Sequence, residues 1–158
     1  MSTFSAEVAW ERGEARFTDN RYSRGHRWIF DGGQVIPASS SPHIVPLPYS
    51  VAENVDPEEA YVAALSSCHM LFFLTLAAKQ GLVVECYLDV AEGVLQEVGG
   101  KKQVTRVVLN PRVTYAGEGP DRATEAELHH RAHELCFLAN SVKTVIETRL
   151  PDPQSHEG

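Results

Sequence analysis

The stretch "DPEEAYVAALSSCHMLFFLTLAAKQGL", Asp56 to Leu82, encodes a helix that is apolar on nearly every side. Asp56 is placed to cap its start, Pro57 suits the first helical position and Glu59 completes a capping box. Gly81 stands where such a helix would stop. Between Ala60 and Ala78 the polar residues are Ser66, Ser67, His69 and Thr75. A run of about 20 residues would just span a bilayer, but these polar residues lie centrally and no other segment shares the character. In a water-soluble fold, a helix that is apolar all round must be covered on every side. One small sheet cannot do that, so the sequence predicts that a second copy of the chain helps.

The chain has 158 residues, 43% of them apolar, which suits one domain with a real core over residues 1–158. A net charge of −7 argues against nucleic acid or an anionic membrane as the main partner. The Met-Ser-Thr start is polar and no basic segment precedes an apolar run. The expectation is therefore a cytoplasmic protein without a signal peptide. Cys68, Cys86 and Cys136 make an odd count with no CxxC pair, which fits neither a disulfide framework nor a zinc ribbon.

The N-terminal third reads as β-structure. Phe4, Ala6, Val8 and Trp10 alternate with Ser5, Glu7, Ala9 and Glu11, the period of a half-buried strand. "HRWIFDGGQVIP" reads as a hairpin turning at Asp31-Gly32-Gly33. From Pro37 to Asp56, Pro37, Pro42, Pro46 and Pro48 break any ladder, leaving a loop of roughly twenty residues that is either a binding lid or a mobile linker. After the long helix, Val84, Cys86, Leu88 and Val90 share one strand phase, opposite Glu85, Tyr87 and Asp89. "GGKK" marks a turn, and "QVTRVVLNPRVTYAG" gives one or two strands interrupted near Asn110-Pro111. Thr124 and Glu127 form a capping box for a second helix to about Leu138, with Leu128, Ala132, Leu135, Cys136 and Ala139 on its apolar face. Asn140-Ser141 suggests a further short turn, "TVIETRL" a closing strand, and residues 151–158 a flexible tail. Strands, helix, strands, helix: the order argues α+β.

By pattern alone all three cysteines read as core thiols. A reactive one needs a cation nearby to hold it as thiolate, and Arg21, Arg24 and Arg27 cluster in one segment that could supply it. Taken singly, each arginine reads as part of a solvated loop.

"DPEEAYVAALSSC" and "HELCFLANSVK" resemble the two cysteine signatures of the OsmC/Ohr family, the osmotically inducible protein C and organic hydroperoxide resistance proteins. In that family an Asn-Pro-Glu or similar triplet opens a central helix, and a cysteine follows ten residues after the glutamate. Pro57-Glu58 and Cys68 keep that spacing, and Cys136 takes the place of the second cysteine. "SRGHRW" resembles the segment carrying the family's catalytic arginine, which puts that role on Arg24. Where the family often has proline after the second cysteine, Phe137 stands here.

The resemblance implies an α+β fold with antiparallel sheets around two main helices, in an intertwined homodimer with the Cys68 helix central. It implies a thiol peroxidase needing no cofactor or metal, with an organic hydroperoxide as substrate and an external dithiol as reductant. Cys68 would attack the O–O bond and become a sulfenic acid, and Cys136 would condense with it. Arg24 would favour the thiolate and bind the peroxide oxygen, with Glu58 orienting the guanidinium. Leu65, Phe72 and Phe73, with Met70 and Leu71, would suit an alkyl group. Geometry adds a constraint: Glu58 and Cys68 are ten helical residues apart, a rise of about 15 Å. If both serve one site, Glu58 comes most simply from the partner chain.

Three other readings compete. His129 and His133 at i, i+4, with His130 and Cys136 nearby, could ligate a metal, although Glu125, Glu127, Arg131 and Glu134 mark that face as solvated. The chain could be a non-catalytic binding protein of the same fold for an apolar ligand. A hot-dog thioesterase also wraps a sheet round a long helix, but gives the two cysteines no role.

Overall fold

The computed structural model describes residues 1–153; the end of the expected tail, 154–158, lies outside the described residues. The chain divides into two compact units, 1–60 and 61–158.

The first unit is a three-stranded antiparallel sheet with a long loop. Its strands are β1 (Ala6–Ala9), β2 (His26–Phe30) and β3 (Val35–Ala38), in that order across the sheet. The β2–β3 hairpin turns as expected, with Gly33 at φ +89°, a value that a Cβ would strain. The half-burial expected of β1 is not seen. Phe4 is 91% and Val8 66% exposed, because this unit holds a single sheet and loops with no second layer to bury a strand face. The 39–55 loop is pinned to its own unit. Ser39 is fully buried and its Oγ accepts from the Val51 N–H, while the Asn54 side chain donates to the Ala38 carbonyl.

The long helix α1 (Pro57–Lys79) starts with the expected reciprocal cap. Asp56 N–H donates to Glu59 Oε1 and Glu59 N–H to Asp56 Oδ1, both at 2.8 Å. One face is buried: Leu65, His69, Phe73, Leu76 and Ala77. Ala63, Ser67, Leu71, Thr75 and Ala78, one turn apart along another face, are exposed. By length and composition α1 could cross a membrane.

The second unit holds the rest: β4 (Val84–Asp89), β5 (Glu92–Val98), β6 (Lys101–Leu109), β7 (Pro111–Tyr115), α2 (Arg122–Leu135) and β8 (Val145–Thr148), with a short 3-10 turn at Ala139–Ser141. β4 pairs with β7, and β5 with β6, antiparallel. β8 joins β6 in parallel, so the sheets are mixed rather than wholly antiparallel. Phe73, Leu76 and Ala77 of α1 pack on Leu128 and Ala132 of α2, with Tyr87 and Val113 of the β4–β7 pair beneath. Leu65 packs separately on Val107 and Leu109 of β6. β5 lies so close to α1 that a Cβ on Gly93 would meet Val62 Cγ2 at 2.6 Å.

Two registers differ from the sequence reading. The β4–β7 ladder shifts between Val84 and Cys86. One extra residue flips the phase, so Tyr87 and Asp89 turn inward while Cys86 and Leu88 are exposed. Cys86 is not a core thiol. The second helix starts before the expected capping box, because the Asp121 carboxylate accepts from the Thr124 N–H at 2.7 Å and caps it. It ends at Leu135, with Cys136 extended at its C-terminus. Leu135 is 45% exposed and His129 takes its place on the buried face.

Candidate functional site

Cys68 lies near the middle of α1, half-buried; Cys136 closes α2, 1% exposed. Packing of the two helices brings the Cys68 and Cys136 thiols, both reduced, near enough to act on one another electrostatically. Burial pushes the Cys136 thiol up to about 11, and the neighbouring Cys68 thiol adds to this. The backbone N–H groups of Ala139, at 3.4 Å from the sulfur, and of Leu138 act the other way, but burial prevails. Cys136 therefore remains protonated at neutral pH. Phe137, 72% exposed, turns its ring edge-on to half-buried Phe72 at 5.0 Å beside this pair in sequence.

The other expected site residues fall as follows. Leu65 and Phe73 are core, 1% and 0% exposed, and do not line an open surface; their places in the two clusters above account for them. Phe72 keeps partial access. In the first unit, Arg24 is half-buried and the most restrained of the three arginines. Its guanidinium donates to Asn20 Oδ1 at 2.7 Å and to the Asn20 and Tyr22 carbonyls, and lies 3.8 Å from the centroid of the Tyr22 ring. Arg21 donates to the Tyr49 hydroxyl and is exposed, as is Arg27. Glu58 occupies the first turn of α1, half-buried.

Sequence reasoning missed a second buried constellation. His69, the residue after Cys68, also meets α2, its Nε2 lying 2.9 Å from Nδ1 of His129. The ring planes agree within 3° at a centroid separation of 5.2 Å, so the imidazoles lie edge to edge in one plane rather than face to face. Phe73 stacks on the face of His129 at 4.2 Å. Burial holds both rings neutral, lowering His69 to about 4 and His129 to about 3. The neighbouring charge of Asp89 works against this at His69; that carboxylate accepts from the Ser66 hydroxyl and the Asn110 N–H. His69 Nδ1, His129 Nε2 and the Tyr87 hydroxyl are buried without hydrogen-bond partners. The available signal was the spacing of Ser66, His69 and Phe73, one side of α1, which pairs a histidine with apolar neighbours. His129 is not on a solvated face, as its charged neighbours implied.

The family model for OsmC-like proteins matches residues 51–150. Among solved structures, an OsmC-like protein of unknown function from Vibrio cholerae is 55% identical, with a TM-score of 0.91 over 96% of this chain and 100% of that one. An organic hydroperoxide resistance protein from Legionella pneumophila shares the fold at 17% identity, TM-score 0.68, over 95% of this chain and 96% of that one. One from Bacillus subtilis does so at 18% identity, TM-score 0.61, over 94% and 98%. Among curated proteins none matches.

Proposed function

Because the chain belongs to the OsmC-like family, and Cys68 of α1 lies near Cys136 at the end of α2, we propose that it reduces organic hydroperoxides through a Cys68–Cys136 disulfide. The observation that carries the reading is the thiol pair itself: Cys136, buried and held protonated, with the Cys68 thiol beside it acting on its titration. The names of the Legionella and Bacillus relatives support the substrate class.

In the first step the Cys68 thiolate attacks the distal oxygen of ROOH. The S–O bond forms, the O–O bond breaks, and the alkoxide leaves as alcohol after taking a proton. In the second step the Cys136 sulfur displaces the hydroxyl of the Cys68 sulfenic acid. The S–S bond forms and water leaves, carrying the Cys136 proton. An external dithiol returns the pair to thiols, which suits a cytoplasmic setting. Arg24, held by Asn20 and Tyr22, is assigned to the developing negative charge on the peroxide oxygen. Glu58 is assigned to orient it from the partner subunit of a homodimer, and Phe72 to face the alkyl group.

Cumene hydroperoxide consumption with dithiothreitol, in wild type and Cys68→Ser, tests the reading. One equivalent of peroxide should remove two titratable thiols, and peptide mapping should link the "SSCHM" and "HELCF" segments. Cys136→Ser should stop at a sulfenic acid that over-oxidises in excess peroxide. Binding of cumyl alcohol with no peroxide consumption would replace the reading with that of an apolar-ligand binding protein.

A further inference from the structure

The thiol chemistry leaves a second site unused. A cavity of about 280 Å³ opens between α2 and β8, its wall carrying His129, His130 and His133 against Ile146, Thr148 and Leu150. Neither cysteine lines it.

His129 is 3% exposed, its Nδ1 is occupied by His69, and its Nε2 has no hydrogen-bond partner. A neutral imidazole carries one donor and one acceptor nitrogen. When His129 Nδ1 donates to His69 Nε2, its own Nε2 is a bare lone pair inside the protein, an arrangement that costs free energy unless something binds there. His133 stands one helical turn further along the same face, half-buried in the same wall. Two imidazoles at i, i+4 on a helix form a known chelating pair for zinc-like ions. A ligating histidine that gives its second ring N–H to a fixed acceptor is the usual supporting arrangement, and in the tautomer that leaves His129 Nε2 free to ligate, His69 Nε2 is that acceptor. Phe73, stacked on the ring, fixes its orientation.

We propose that His129 and His133 bind a d-block dication of the zinc, nickel or copper class at this cavity, with His69 positioning the His129 ring. Imidazole nitrogens select these ions over magnesium or calcium. Among the described residues, no three His, Cys, Asp or Glu side chains gather into a closed cage. The site is therefore an open one, with two protein nitrogens and water in the remaining positions. His130 stays outside it, exposed and 3.3 Å from Glu134.

The test is calorimetric titration of the intact reduced protein with Ni²⁺, in wild type, Cys68→Ser, His130→Gln and His133→Gln. Wild type, Cys68→Ser and His130→Gln should each take up one ion per chain with the same affinity. His133→Gln should bind about tenfold more weakly or worse. A ¹⁵N spectrum should show the His129 Nε2 resonance moving on addition of diamagnetic Zn²⁺. His129→Gln is the more direct variant, but its position is buried; His133→Gln, half-buried, decides the matter if that variant does not fold. The proposal is overturned if wild type takes up no ion at millimolar Ni²⁺, or if His133→Gln binds as wild type does. Loss of binding in Cys68→Ser alone overturns it too, by making the thiols the ligands.

Discussion

His69 Nε2 and His129 Nδ1, 2.9 Å apart in coplanar rings, link the helix that carries Cys68 to the helix that ends at Cys136. The link is buried, so removing one partner leaves the other unsatisfied and opens a void. His69→Ala should cost about 3 kcal/mol on those two grounds, read as a lower urea midpoint with an unchanged slope. His69→Gln, whose side-chain amide can both donate and accept toward His129, should recover part of the loss. A change below about 0.5 kcal/mol, the range of an exposed surface site, would mean that the pair does not hold the helices.

Cys136 gives the fold an alkaline limit. Its thiol rises from the ordinary 9.0 to about 11 in the folded state, mainly through burial. A group whose folded pKa is raised contributes stability that is complete below the unfolded value and is lost as pH climbs through the folded one. Wild type should therefore lose stability between about pH 9 and 11 relative to Cys136→Ser. Tyr87 and Tyr115 are also raised, by burial first, and affect both proteins alike, so the difference isolates the thiol. Parallel stability–pH curves would refute the assignment.

How much of this was legible in the sequence depended on whether local chemistry or tertiary packing set each feature. The α1 cap was readable because Asp56, Pro57 and Glu59 act within one turn. The β4 phase was not. A ladder shift at Val84–Cys86 depends on the partner strand β7, and it reverses every side chain after it. The α2 start was misplaced by one turn because Thr124–Glu127 and Asp121–Thr124 both fit a capping pattern, and only the fold chooses between them. The resemblance brought Cys68 and Cys136 forward as a pair. The histidine pair could not be read off, since His69 and His129 are 60 residues apart and each sits among residues that suggest another role.

Arg24 carries the sharpest prediction about the proposed chemistry. A restrained guanidinium that meets developing charge on oxygen contributes about 10²–10³ in rate at sites of this kind. Arg24→Ala should lower kcat/KM for cumene hydroperoxide by about that factor, whereas Arg21→Ala, whose side chain is exposed, should change it less than about threefold. Asn20→Ala, which removes the Oδ1 contact at 2.7 Å, should fall between them. Equal effects of Arg24→Ala and Arg21→Ala would move the role to another cation.

The exposed face of α1 makes the last prediction. Leu71 is 58% exposed with Ala63, Ser67, Thr75 and Ala78 along the same side, and Leu88 and Val90 are 60% and 65% exposed elsewhere in the same unit. Apolar surface on this scale in a small chain is the mark of an interface, and small residues along a helix let a second backbone approach closely. A homodimer should sediment at micromolar concentration, and Leu71→Lys, which puts a charge in the middle of that face, should weaken it by tenfold or more, about 1.4 kcal/mol. The variant also separates two origins for Glu58. Ten helical residues divide Glu58 from Cys68, a rise of about 15 Å, so a shared site needs the carboxylate of a second chain. Monomeric Leu71→Lys should then keep its thiols titratable while losing peroxidase activity, and raising its concentration until it dimerises should restore the rate. Full activity in a monomer would leave Glu58 without a part in the reaction.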